Sequence, residues 1–464
     1  MNGKEKRGNA CMKRAGEKGM RVTDMTRGDP LRLILFFAVP LFIGNVFQQV
    51  YTMLDTVVVG HFIGDSAISA IGATVSLYSL LLSLAISLNN GYAIVITQAF
   101  GAHDEGKLRR AIAGTILLNS GAAVLVTAVS LVFLHPLLRF IHTPPEVYAE
   151  AYRYIFVLCA GISATLAYNM FAGILRAVGN SRTPLYFLII SSLINVALDL
   201  LFVAVLRMGV MGAALATVIA QGISALLCGW KVLHAYRSIM PEKEDFGNCP
   251  SLLPALFSTG LAMALMICVV DLGTVIFERA NNVLGPDVIA AHAAGNRIII
   301  ALMQPLTTIA AANATFVSQN FGAGQLERIR KTLKKIMGLE IMWGVIACAL
   351  IYAWGAPLLR FITGTEDAGI IRNGVLLMRI TLPFFPVLGM LFAFRTSMQA
   401  MGYKIAPVVS SVVELLIKGV CGPLLIAAFG YAGTSVTAPL SWVAMTAYLS
   451  LAYLHMRKKL YQNQ

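Results

Sequence analysis

Charge is what this sequence has least of. Only 12% of its 464 residues are charged, against 58% hydrophobic, and the mean hydropathy is +0.75. A soluble globular protein carries roughly 25% charged residues. A chain of this length could not build a water-facing surface from so few. That excludes an ordinary soluble enzyme, a nucleic-acid-binding protein and a disordered chain. Cysteine is sparse as well. No two of the seven form a C-x-x-C pair and most lie in apolar runs, which supports neither a zinc site nor a disulfide framework. The phosphate-cradling pattern G-x-x-x-x-G-K-S/T is missing, so ATP-driven transport within the chain is not expected. His61, His103, His135 and His142 fall at the ends of apolar runs without metal-ligand spacing. No clustered catalytic constellation is visible, so neither an enzyme nor a cofactor is expected.

What is present is long apolar runs. A spanning helix needs about 20 mostly apolar residues, and lipid admits only helices or closed barrels. The runs are continuous rather than alternating, so helices are expected. Twelve can be drawn, at 33–60, 67–98, 112–134, 151–174, 185–206, 210–233, 253–280, 288–318, 336–358, 373–399, 405–428 and 433–455. Pro40 and Pro305 are candidate kinks. The run from Leu33 to Val59 exceeds the ~7–15 residues of a signal-peptide core and reads as a retained first span.

The net charge of +14 sits in short basic clusters between the runs, which suits loops that set topology better than a nucleic-acid partner. With the N-terminus inside, the inside segments hold 27 Lys/Arg and the outside loops four, namely Arg139, Arg207, Arg360 and Arg372. An even span count returns the C-terminus to the same side. The expected location is therefore the bacterial cytoplasmic membrane, multi-pass, with both termini in the cytoplasm.

The chain also repeats itself. Gln98-Ala-Phe-Gly-Ala102 returns as Gln319-Asn-Phe-Gly-Ala323, 221 residues on. At the same offset Gly64 meets Gly285, Ile68 meets Ile289, and Gly209-x-x-Gly212 meets Gly430-x-x-Gly433. Ala177-Val-Gly179 with Pro184 meets Ala400-Met-Gly402 with Pro407 at offset 223. Each half has six spans, so the halves share one orientation, as a parallel repeat about an axis along the membrane normal. The expected fold is an all-α integral membrane protein of twelve transmembrane helices in two six-helix lobes. Its parts would be a basic tail 1–29, a lobe 30–234, a linker 235–252, a second lobe 253–456 and a tail 457–464. Two facing bundles suggest a central cleft and transport by alternating access.

Ionisable residues inside a span are costly and mark function or a partner. Asp55 is the sole charge of its span, and Asn45, Gln48 or Gln49, Thr52 and Asp55 recur at helical spacing, with Tyr51 one turn before Asp55. Asn195 and Asp199, four apart on the fifth span, share a face. A carboxylate beside an amide oxygen suits a proton or a small hard cation such as Na⁺. The competing reading is interhelical hydrogen bonding or a satisfied core Asp. Neither acid recurs in the second half, so cation chemistry is expected in the first. On the seventh span Asp271, Thr274, Glu278 and Asn282 form another stripe. Asp271 and Glu278 could attract a cationic substrate or act as a second proton site, or Glu278 could pair with Arg297. Glu414 and Lys418, in the favourable i, i+4 order, read as mutual neutralisation.

Taken together, the pattern resembles the multidrug and toxic compound extrusion (MATE) transporters, in the bacterial branch with damage-inducible and Firmicute-type members. The matching stretches are Ala38-Val-Pro40 into Leu54-Asp-Thr-Val-Val-Val-Gly60, Gln98–Ala102, Leu175-Arg-Ala-Val-Gly179 through Tyr186, and Asn195-Val-Ala-Leu-Asp199. Gly209-Val-Met-Gly212 through Thr217, Ile289-Ala-Ala-His-Ala-Ala-Gly-Asn-Arg297 and Gln319–Ala323 complete them. They cover about residues 30–456. The resemblance implies a monomeric efflux antiporter in the bilayer, with no cofactor, exporting small organic, often cationic, compounds in exchange for H⁺ or Na⁺. It also implies a first-lobe cation site at Asp55, Asn195, Asp199 and Thr217, which would be a metal site only under Na⁺ coupling. Thr217 is assigned by the resemblance alone. Gln48, Tyr51, Glu278 and Asp271 are the candidate substrate contacts. A lipid or lipid-linked oligosaccharide flippase of the same superfamily is the alternative, but it favours a cleft rich in basic groups. A passive channel is disfavoured by the two-lobe repeat.

Overall fold

The computed structural model of the chain describes residues 23–462 apart from residues 142 and 365. Within helices, the side chains of residues 55, 56, 65, 66, 461 and 462 are also outside the described set. Most of the expected basic tail (1–22) thus lies outside the described residues.

Among the described residues the chain is helical throughout. Residues with continuous apolar runs have one way to satisfy every backbone N–H and C=O internally, and they take it. The first six expected spans appear as α1 (Pro30–Phe62), α2 (Asp65–Gly101), α3 (Glu105–Val132), the pair α5 (Pro145–Ala160) and α6 (Ile162–Ala177), α7 (Arg182–Asp199) with a π-helical turn over Leu200–Val205, and α8 (Val210–Ala235). The short α4 (Leu134–Phe140) precedes α5, and α9 (Lys243–Asn248) follows α8. The second six are α10 (Leu253–Asn281), α11 (Pro286–Gly322), α12 (Leu326–Thr363), α13 (Ala368–Thr381) continued by α14 (Phe385–Ala400), α15 (Ile405–Leu416) continued by α16 (Gly422–Phe429), and α17 (Tyr431–Gln462).

Ten of these stretches are long and apolar enough to cross a membrane, or eleven if α5 and α6, bent by 41°, count as one broken span. The twelfth expected span falls on α17, which has the length, at 32 residues, but is not among those ten. Pro40 and Pro305 both sit inside unbroken helices, α1 and α11. Asp104 caps α3 by accepting from the Lys107 backbone N–H at 2.9 Å, and Asp367 caps α13 through the Ile370 N–H at 2.9 Å.

The sequence repeat is a backbone repeat. Gly64 and Gly285 open α2 and α11 with φ of +101° and +99°. Gly179 and Gly402 match at +83° and +86°, and Gly209 and Gly430 at +62° and +57°. Glycine tolerates this left-handed region and other residues rarely do. The break between α5 and α6 corresponds to the 3₁₀ turn Leu382–Phe384 between α13 and α14. A π turn follows α7, and a second one, Ile417–Cys421, follows α15, where it begins earlier in the register of the repeat.

The chain forms two compact units. Of the described residues, one unit comprises 23–27 together with Val39–Ala264; the other comprises Gly28–Ala38 and 265–462. The division runs through α1 and α10, each of which gives one end to the unit that does not hold its remainder. In the first unit, the buried core joins Tyr92, Ile96, Ile112, Ile174, Leu175, Val232 and Leu256, so the start of α10 packs there. In the second, Ile336, Met378, Leu382 and Phe385 are buried, and Phe385 meets Trp442 edge-on at 6.0 Å.

Candidate functional site

The first unit builds its polar centre on α7. The start of that helix is fixed by Asn180, whose Nδ2 donates to Tyr236 OH at 2.6 Å and whose Oδ1 accepts from the Thr183 N–H at 3.0 Å. Tyr236, just beyond α8, is buried, and that burial pushes its phenol above the ordinary range despite the opposing Asn180 hydrogen bond. The loop before α7 is thereby tied to the end of α8.

Three turns further along α7, Asn195 and Asp199 are 1% and 0% exposed. They lie on one face with Ser191 and Ser192, also buried, whose hydroxyls donate back to the Leu188 carbonyl. Neither the Oδ1 nor the Nδ2 of Asn195 has a hydrogen-bond partner among the described residues. A buried amide without partners is uncommon and costs free energy. Directly after Asp199 the helix widens into its π turn. Such turns inside helices occur frequently at functional sites.

Helix register indicates what stands at this level. A Cβ on Gly212 of α8 would sit 3.0 Å from Phe202 Cβ, so residues 202 and 212 oppose each other in the α7–α8 hairpin. With equal rise along two antiparallel helices, Thr217 falls between the levels of Asp199 and Asn195. It is half-buried. One turn on, Gln221 has a buried Oε1 with no hydrogen-bond partner. Sequence reasoning did not select Gln221; its i, i+4 spacing from Thr217 is the signal that could have. On the other side, a Cβ on Gly44 of α1 would meet Leu185 and Leu188 of α7 at 3.5 and 3.7 Å. As odd-numbered spans, α1 and α7 rise the same way, so eleven residues on, position 55 of α1 reaches the level of Asn195 and Asp199. The Asp55 side chain itself lies outside the described residues. Of the other α1 candidates, Gln48 is exposed, Tyr51 is half-buried, and the Thr52 hydroxyl donates to the Gln48 carbonyl at 2.9 Å.

The second unit carries a different chemistry at the corresponding place. Lys418, in the second π turn, pairs with Glu414 at 2.8 Å and donates to Thr274 Oγ1 at 3.1 Å. Asp271, half-buried one turn before Thr274, lies within electrostatic range of Lys418 and Glu414. Glu278 is exposed, and no ion pair joins it to Arg297 among the described residues. The structure thus brings Asp271 and Thr274 to the Glu414–Lys418 pair and leaves Glu278 outside it. A further acid, Glu340 on α12, is wholly buried and was not selected from the sequence.

An all-α fold of twelve spans in two repeated halves, with buried polar groups in its spans, defines a membrane transporter. The MatE family model matches residues 40–201 and 257–424. The chain belongs to the MatE family, whose members are transporters and not enzymes. It is 24% identical over 401 residues to "Probable multidrug resistance protein YpnP" of Bacillus subtilis, covering 85% of this chain and 88% of that protein. It is 24% identical over 439 residues to "DNA damage-inducible protein F" of Escherichia coli, covering 90% and 89%. Among solved structures, one described as "Crystal structure of MATE in the bent conformation" superposes with a TM-score of 0.86 at 19% identity, covering 94% of this chain and 98% of that one.

Proposed function

We propose that this protein is a cation-coupled multidrug efflux antiporter, exporting organic, predominantly cationic compounds in exchange for inward H⁺ or Na⁺. The observation that carries the reading is the Asn195–Asp199 pair. Two polar side chains are wholly buried in an apolar helix, and the amide has no hydrogen-bond partner among the described residues. Such a pair is expensive to insert and suits a ligand that comes and goes. Asp55, Asn195, Asp199 and Thr217 would form the cation site, and Gln221 extends it. The names of relatives, among them multidrug resistance and multidrug export proteins, support the substrate class.

In this reading, cation loading removes the penalty of a buried carboxylate and allows α1 to rearrange about Pro40. Substrate leaves as the cation is held, and cation release to the cytoplasm restores substrate affinity. Coupling requires that each ligand bind the two states with different affinity. Both termini would face the cytoplasm, the protein would act as a monomer in the bacterial cytoplasmic membrane, and Asp271, Glu278, Gln48 and Tyr51 would contact substrate. The test is substrate counterflow in proteoliposomes with Na⁺ and pH gradients imposed separately. One gradient alone should drive uptake against a substrate gradient. Equal flux with neither gradient would sink the antiport reading.

A further inference from the structure

Glu340 is a buried acid that the proposed cation site does not use. It lies in the middle of the buried face of α12, in line with Ile336, Gly344 and Ala347. It is 0% exposed, and neither carboxyl oxygen has a hydrogen-bond partner among the described residues. Glu414, in the same unit, shows by contrast what a buried ionised glutamate requires, since Lys418 stands 2.8 Å from its Oε1. Nothing comparable faces Glu340. The ionisable groups on the elements packed against α12 are Asp287, His292 and Arg297 on α11, Arg372 and Arg379 on α13, and Arg395 on α14. Arg379 stacks on Tyr352, twelve residues along α12, and Arg395 donates to Ser411. On α12 itself, Glu327, Arg328, Arg330, Lys331, Lys334 and Lys335 gather toward its start and Arg360 near its end. No ion pair joins any of these groups to Glu340 among the described residues. An isolated charge in such surroundings neutralises rather than persists.

The surroundings are also built to move. A Cβ on Gly389 of α14 would lie 2.6 Å from Glu340 Cβ, and one on Gly344 would lie 2.6 Å from the Pro386 nitrogen. The α12–α14 seam is therefore closely packed at the root of the Glu340 side chain. It lies beside the 3₁₀ break Leu382–Phe384. On the neighbouring α11, Trp343 Nε1 donates to the Leu302 carbonyl at 2.9 Å, one turn before Pro305. A helix break beside a buried acid is where a spanning bundle can open locally.

We propose that Glu340 is a second proton-binding site, in the second unit, which holds its proton in this conformation and releases it when the Gly344–Gly389 seam loosens. It is distinct from the Asn195–Asp199 site, and its protonation does not depend on how transport is coupled. The test is infrared spectroscopy of the full-length protein in lipid at neutral pH. The protonated-carboxyl C=O band should be diminished in Glu340→Gln and unchanged in Glu414→Gln. A band that survives Glu340→Gln intact overturns the assignment. Wild-type protein with isotope-labelled glutamate carboxyls needs no substitution: the band must shift with the label, and a band that stays in place refutes the proposal. Release is read by transferring labelled protein to D₂O with and without substrate turnover. Deuterium should enter the band faster under turnover. Equal rates would make Glu340 a static neutral group and overturn the release step, whatever the fate of the antiport reading.

Discussion

Replacing Asp199 by Asn separates a working acid from a structural one. Asn keeps the shape of the side chain and one acceptor oxygen but removes the ionisable group. Asp199 is 0% exposed in a spanning helix. On insertion scales an Asp at the centre of such a helix costs roughly 2.5–3.5 kcal/mol, so Asp199→Asn should stabilise the fold by up to about 3 kcal/mol. At about 2–4 °C per kcal/mol for a unit of this size, the thermal midpoint should rise by no more than roughly 12 °C. Efflux should move the opposite way. A coupling free energy of 1–3 kcal/mol corresponds to a loss of roughly 5- to 150-fold. The assays are dye efflux from cells or vesicles and thermal unfolding of the purified variant. A gain in midpoint with a loss of efflux fits an acid kept for its ligand at the expense of stability. Efflux at the wild-type rate would refute the cation role, and a lowered midpoint would show that Asp199 holds the fold together.

Two further substitutions test the packing around the sites. Gly91→Ala in α2 would place a Cβ 2.5 Å from Gly260 Cα and 2.7 Å from the Thr259 carbonyl oxygen. Since both neighbours are backbone, a loss of about 1–3 kcal/mol is expected, read as a lowered unfolding midpoint; an unchanged midpoint would contradict the close approach of α2 and α10. Lys418→Met leaves Glu414, whose side chain is 9% exposed, without its partner, which should cost about 3–5 kcal/mol, whereas the Glu414→Gln, Lys418→Met double variant should recover most of it. Strict additivity of the two single effects in unfolding measurements would show that the pair is not coupled.

The spans, the repeat and the polar face of α7 were legible because each is written as a period. Apolar runs show spans, the constant offset shows the repeat, and the four-residue spacing places Asn195 with Asp199. The expected pairing of Glu414 with Lys418 was legible for the same reason. Breaks inside spans were not. The run 151–174 reads as one helix, yet the chain bends by 41° between α5 and α6, and the π turns leave no mark in hydropathy. Glu340 was hidden by its context. It follows the cluster Arg328, Arg330, Lys331, Lys334 and Lys335, and α12 begins at Leu326, ten residues before the expected span. Yet position 340 falls inside the expected span 336–358, so the rule that selected Asp55 and Asp199 applies to it as well, and the structure shows it buried against Gly389.

The two halves repeat their backbone and differ in their chemistry, and that difference bears on where exchangeable cations can act. Both units carry a π turn in this part of the fold, after α7 and, at an earlier register, after α15. Counting 223 residues on from Asn195 leads to Lys418. In the first unit this part of the fold presents a buried amide with no hydrogen-bond partner among the described residues, beside a buried carboxylate. In the second it presents a carboxylate already neutralised by an ammonium at 2.8 Å. A covalently attached cation cannot be exchanged across a membrane, so the Glu414–Lys418 pair holds fixed what the proposed Asn195–Asp199 site would exchange. Any proton traffic through the second unit must then use an acid without a resident partner. Among its wholly buried side chains Glu340 fits that description. The same reasoning predicts that Lys418→Met should not simply create a second cation site. The freed Glu414 would first have to overcome the desolvation that its partner now offsets.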